Sequence, residues 1–176
     1  MTTLLGISGS LRKASTNTML MRNAAAIFDA DTFIEGDINL PLYNGDIEEA
    51  LGIPAVVQTL SDQIASADAV IISTPEYNKA ISGVLKNALD WVSRTEGSPW
   101  KNKPLAIMSA AAGRAGGERT QFSLRLAMMT FRPHILQGPE VLVAASSKEF
   151  DENGKLTGEF YNKLLTELMD ELRDAI

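Results

Sequence analysis

Residues 6–18, GISGSLRKASTNT, gather groups suited to holding an anion. Gly9 permits tight backbone geometry. Ser8, Ser10, Ser15, Thr16, Asn17 and Thr18 supply short-armed donors, and Arg12 offers a planar fork matched to phosphate oxygens. Ser15 or Thr16 can cap a helix that starts here, and the free N–H groups and dipole of such a helix favour negative charge. The dipole contributes up to about 2 kcal/mol and each hydrogen bond to a charged group about 1.5–3 kcal/mol. Several donors must therefore converge to offset the stripping of water from a dianion. Retention of a phosphate group is the chemistry this set suits.

Two later stretches are comparably unusual. In STPEYNKAISGVLKN (73–87), Pro75 stiffens a turn, Tyr77 presents a flat, partly polar surface, and Asn78 carries donor and acceptors together, which suits the edge of a heterocycle. The plain reading of this stretch is a turn ending in a helix cap at Ser82. In SAAAGRAGGER (109–119), three glycines and small side chains let the backbone approach a ligand closely. Arg114 and Arg119 there are candidates for a second anion, or simply solvated charges.

Rival motifs fall short. Gly6-Ile7-Ser8-Gly9-Ser10 approaches the nucleophile elbow of serine hydrolases, but Ser10 stands where the final glycine belongs and His134 is the sole candidate base. Ser8 and Leu11 break the glycine fingerprint for dinucleotides, and no Gly-Lys-Ser/Thr follows to make a P-loop. A cap-rich turn that binds nothing is the bland alternative.

The elements that would position these loops alternate along the chain. Thr3–Ser8 is a short apolar run suited to a buried parallel strand, and helical spacing over 16–28 puts Leu20, Ala24, Ile27 and Phe28 on one face. Thr32–Glu35 is a weak second strand, followed by a long irregular stretch, 36–53, of the kind that often forms a binding wall. Pro54 opens a helix with Val57, Leu60 and Ile64 inward. Ala69–Ser73 is a central strand, and residues 82–93 form a helix burying Val84, Leu85, Ala88, Leu89 and Val92. Leu105–Ser109, a helix from about 117 to 129, and Val141–Ala144 follow. A closing helix turns Phe160, Leu164, Leu165, Leu168 and Leu172 inward. Five strands alternating with helices predict a single domain over 1–176, a three-layer α/β fold with right-handed crossovers. In such a sheet ligands sit beyond the carboxyl ends of the strands, where the three unusual loops would meet.

Composition bounds the partners. The net charge of −6 argues against nucleic acid or an anionic membrane as the main partner, since either calls for a basic face. The absence of cysteine removes disulfides, thiolate metal sites, a cysteine nucleophile and sulfur-linked cofactors. The start MTTLLGISGS lacks the pattern of a secretory signal, and no apolar run is long enough to span a bilayer, so a cytoplasmic, unprocessed protein is expected. Trp91, Trp100, Met128, Met129, Phe131 and His134 are candidates for either a subunit interface or the core.

GSLRKASTN, then LPLYNGD, then TPEYNKAISGVLKNALDW, then AGGERTQFSLR together resemble the NAD(P)H-dependent FMN reductase family, and within it the bacterial quinone and chromate reductases. The likeness runs from about Leu4 to Arg125. It implies a flavodoxin-like fold with strand order 2-1-3-4-5, non-covalent FMN, NADH or NADPH as co-substrate, small acceptors such as quinones, flavins, chromate or ferric complexes, and a homodimer or homotetramer. It also implies that Ser10, Arg12, Ser15, Asn17 and Thr18 surround the phosphate, that Pro75, Glu76, Tyr77 and Asn78 border the flavin ring, and that Ser109 and Gly113 lie near the ribityl chain and ring edge. No residue is required as a general acid or base. Lys79 and Ser82 depart from the pattern, where close relatives often carry an aromatic residue and proline. An FMN electron carrier of flavodoxin type, which does not itself oxidise NAD(P)H, is the alternative; its phosphate loop resembles a Thr-rich turn without cations, unlike the loop holding Arg12 and Lys13.

Overall fold

The computed structural model describes all residues from Met1 to Ile176. Along the chain come β1 (Thr3–Ser8), α1 (Thr16–Phe28), β2 (Thr32–Gly36), α2 (Gly45–Leu51), α3 (Ala55–Ser66) and β3 (Ala69–Ser73). After these follow α4 (Gly83–Val92), β4 (Pro104–Ala110), α5 (Glu118–Met128), β5 (His134–Ile135), β6 (Val141–Val143) and α6 (Glu159–Asp174). Every strand pairing is parallel, in the order β2-β1-β3-β4-β5, with β6 also on β4. This is the flavodoxin-like order expected from the sequence.

The strands alternate their side chains between two apolar layers, as the period of two demands. Leu4, Ile71, Ala106 and Met108 point to one face, under α1 and α6. Leu5, Ile7, Val70, Ile72, Leu105 and Ile107 point to the other, under α3, α4 and α5. The crossover after β1 thus runs over one face and that after β3 over the opposite one. Ser8 is in register with Ser73, so the two strands end side by side where their connections diverge.

Three expectations change and one open alternative closes. The stretch 36–53 is not wholly irregular, because Asn44 caps α2 by accepting from the Asp46 N–H at 3.0 Å, with Asp46 and Glu48 in the favourable first turn. The fifth strand position is shared: β5 lies beside the start of β4 and β6 beside its end, separated by a segment containing Pro139, which has no N–H to give a ladder. Phe160 is 67% exposed, whereas Tyr161, Leu165, Leu168 and Leu172 face inward; one residue is about 100° of helical rotation, enough to carry Phe160 off that stripe. Trp91 and Trp100 are buried within their own chain and so anchor no subunit interface. No helix is long and apolar enough to cross a membrane.

Candidate active site

The turn after β1 leaves its donors free. Ser15 is the N-cap of α1, its hydroxyl accepting from the Thr18 N–H at 3.3 Å. The backbone N–H groups of Leu11, Lys13, Ala14, Thr16 and Asn17 meet no acceptor in the chain, and the Arg12 guanidinium has no carboxylate within ion-pair distance. Unpaired donors at a helix start, beside an unpaired cation, give a local field that favours an anion. Gly9 is required by crowding: a Cβ there would lie 2.8 Å from Thr74 Oγ1 and 3.1 Å from Pro75 Cδ. Its N–H donates to Ser73 O at 2.8 Å, and its carbonyl accepts from the Ser82 hydroxyl at 2.6 Å. Ser82 therefore caps α4 and fastens the first loop at once.

The second loop closes as a tight turn, with Tyr77 and Ala80 exchanging backbone hydrogen bonds at 3.0 and 3.1 Å. Asn78 and Lys79 occupy its two central positions, both with positive φ (52° and 67°). Asn is among the few residues that tolerate this region well. The loop is also tied to α5: Glu76 Oε2 accepts from the Arg119 N–H at 3.1 Å, and the Thr120 hydroxyl donates to Pro75 O at 3.0 Å.

Between these loops and the end of β4 lies a crevice of about 350 Å³. Ser10, Arg12 and residues 14–17 form one wall, Pro75, Glu76 and Tyr77 a second, and Ala110, Ala111 and Ala112 a third. Ser146 and Ser147, in the turn after β6, complete it, and the Thr16 hydroxyl donates to Ser146 Oγ at 3.2 Å. The sequence reading missed these two serines, although a hydroxyl pair just past the last strand was a signal for them.

Of the residues singled out from sequence, Ser10, Arg12, Ser15, Asn17, Pro75, Glu76 and Tyr77 line the crevice. The Asn17 side chain is nonetheless buried and engaged with Ala110 and Ser73. Thr18 faces away, its hydroxyl 2.8 Å from Ser8 Oγ, and lines a neighbouring groove with Lys13 and Arg22. Asn78 is at the exposed turn tip. Ser109 is fully buried, donating to Gly116 O at 2.7 Å and accepting from Gln121 at 3.0 Å, while Gly113 sits on an exposed loop. The hydrolase alternative fails on geometry, because His134 pairs with Pro104 at the opposite end of the sheet from Ser8.

A helix start with free N–H donors, at the switch point of a flavodoxin-like sheet, is the arrangement of nucleotide- and flavin-binding α/β proteins. Residues 2–148 match the model of the NADPH-dependent FMN reductase family, and the chain belongs to that family. An NAD(P)H-dependent FMN reductase of Pseudomonas aeruginosa is 41% identical over 97% of this chain and 92% of its own. A quinone reductase of Escherichia coli is 37% identical over 81% and 78%. Among solved structures, the flavoenzyme NAD(P)H:(acceptor) oxidoreductase FerB of Paracoccus denitrificans superposes with a TM-score of 0.87, at 32% identity and over 99% of this chain and 96% of its own. The protein is thus an NAD(P)H-dependent flavin oxidoreductase, with FMN as cofactor and NAD(P)H as co-substrate.

Proposed function

We propose that the crevice at the ends of β1, β3 and β4 holds FMN and that the enzyme delivers electrons from NAD(P)H to a small oxidant of the quinone class. The observation that carries this reading is the row of unpaired N–H groups at the start of α1 beside the unpaired Arg12. A 350 Å³ crevice also falls within the usual range for small-ligand sites. FMN supplies hydride acceptance and release when bound.

The rest of the work falls to the chain. The N–H groups of Thr16 and Asn17, the hydroxyls of Ser10 and Ser15 and the Arg12 guanidinium would hold the phosphate. Each is a donor, and the Ser15 hydroxyl, which accepts from Thr18, keeps its own proton to give. Pro75–Tyr77 and Ala110–Ala112 would border the ring. These are small or flat surfaces, and Ala110–Ala112 bring no charged side chain. Holding a doubly charged group takes several such donors at about 1.5–3 kcal/mol each. The quinone class is supported by the E. coli relative, itself a quinone reductase.

The reading extends to a homodimer or homotetramer in the cytoplasm. Phe122 and Leu126 on the outer stripe of α5 and Met129 at its C-cap, spaced at i, i+4 and i+7 and 55–71% exposed, support self-association, which sedimentation tests. For the activity, purified protein reconstituted with FMN is mixed anaerobically with NADPH or NADH. Loss of the flavin's visible absorption, restored on adding a benzoquinone, is expected. Flavin that stays oxidised with both nicotinamides would leave only an electron carrier.

A further inference from the structure

We propose that the Asn17 side chain has a positioning role: its buried amide ties together the three loops that form the crevice and fixes their spacing, while only the backbone N–H of this residue faces the phosphate. The inference rests on the FMN reading of the crevice and assigns this residue a different part within it.

Asn17 is the second residue of α1, and it is only 2% exposed although its neighbours line an open crevice. Its Oδ1 accepts from the Ala110 N–H at 2.9 Å and from the Ser73 hydroxyl at 3.0 Å. Its Nδ2 donates to Ala110 O at 2.9 Å. Both lone pairs of the amide oxygen are therefore filled, and one amide N–H is used. Ser73 is fully buried and Ala110 nearly so, and each belongs to a different strand end.

The sheet explains the geometry. β3 and β4 are in register as far as Ser73 and Met108, and the last rung between them is the Thr74 N–H donating to Met108 O at 3.1 Å. Beyond it the chain leaves β3 for the turn carrying Pro75 and Tyr77. In a strand, the N–H and C=O of one residue point to the same side, so Ala110 turns both groups toward the edge that β3 has vacated. The Asn17 amide pairs with both of them. It replaces the missing strand residue with a side chain from α1, and so joins the phosphate turn to the ends of β3 and β4. An orphaned backbone pair there would carry the cost of unsatisfied buried groups. No other side chain of this size combines a donor and an acceptor at that spacing except glutamine, which is one methylene too long.

A positioning role and a phosphate-contact role predict different ligand profiles. A lost contact with the phosphate weakens FMN alone. A lost tie moves the ring seat as well, and so weakens FMN and riboflavin by the same factor. The experiment uses the full-length apo protein, with dissociation constants for FMN and riboflavin from quenching of flavin fluorescence and the visible circular dichroism of bound flavin at saturation. Asn17→Ala and Asn17→Asp are compared with Ser73→Ala, which removes one of the three bonds and leaves the amide paired, and with Leu168→Ala, a core change in α6 remote from the crevice. We expect both Asn17 variants to bind FMN and riboflavin about tenfold more weakly, in matching ratio, with an altered circular dichroism band. Ser73→Ala shifts both constants in the same direction by about threefold. Leu168→Ala lowers stability while keeping wild-type constants and spectrum.

A loss confined to FMN would overturn the proposal, as would wild-type constants and spectrum in Asn17→Asp and Ser73→Ala. If Asn17→Ala does not fold, those two variants decide the matter. Failure of the wild-type protein to bind either flavin would fail the underlying FMN reading, an outcome seen before any variant is compared.

Discussion

Two irregular stretches, the turn at 9–17 and the strap at 37–44, have opposite hydrogen-bond economies. In the turn, five backbone N–H groups are left without a partner and a guanidinium stands unpaired. In the strap, polar groups are consumed internally. Trp91 Nε1 donates to Pro41 O at 2.7 Å, Asn87 Nδ2 donates to the same carbonyl at 3.0 Å, and Asn87 Oδ1 accepts from the Tyr43 N–H at 2.9 Å. Tyr43 then stacks edge-on against Trp91 with ring centroids 5.0 Å apart and donates to Glu48, which also pairs with Arg94. No strap residue lines the crevice. Binding capacity follows unsatisfied donors, whereas loop length alone marks only a part that must be fastened down.

Substitutions can break this contrast from either side. The largest expected effect on the fold is at the strap's anchor: Trp91→Ala loses about 3–5 kcal/mol in urea unfolding, with FMN affinity within about twofold of wild type, since the strap lies outside the crevice. A comparable collapse of FMN binding would merge the two regions. Gly9→Ala forces a Cβ against Thr74 and Pro75, costing about 1–3 kcal/mol of stability and weakening FMN about tenfold, because it pushes two crevice walls apart. Arg12→Ala removes an exposed, unpaired side chain, so the melting temperature holds while FMN binds roughly 10- to 100-fold more weakly by fluorescence titration. Unchanged affinity would put the phosphate elsewhere.

The smallest effect is a pH response of the strap. The hydrogen bond to Glu48 raises the Tyr43 phenol above its ordinary value near 10. A phenol whose folded value is raised contributes stability in full below the unfolded value and loses it as pH climbs through the folded one. Tyrosinate absorption, with Trp91 fluorescence as a local reporter, should therefore show Tyr43 ionising later than an unperturbed tyrosine, and Glu48→Gln should bring that ionisation earlier. A Tyr43 that ionises at the ordinary value would show that the hydrogen bond does not persist in solution.

Much of this fold was legible because periodicity and caps agreed. Thr3–Ser8, Ala69–Ser73 and α1 coincide with the residues read from apolar spacing, and Ser15 and Ser82 mark helix starts as N-caps should. Helix α2 was illegible by the same standard, since it buries nothing and so shows no apolar stripe; only Asn44 followed by acidic residues signalled it. β5 is two residues long, too short to carry any period. Around the crevice, residue types pointed to the three loops that line it but not to which side chains remain free. Asn17 and Ser109 look like ligands because they are short and polar, yet each is used by backbone groups that only tertiary folding brings near. Asn17 meets Ala110 across 93 positions of sequence, a pairing invisible to local pattern.

The first turn of α5 is completed by another part of the chain. Gly117, at its start, offers no side chain to cover the exposed N–H groups, and the carboxylate that accepts from the Arg119 N–H belongs to Glu76, 43 positions before Arg119. A peptide spanning 117–128 would fray at its beginning, and during folding this segment can settle fully only once the turn after β3 has arrived to close its open end.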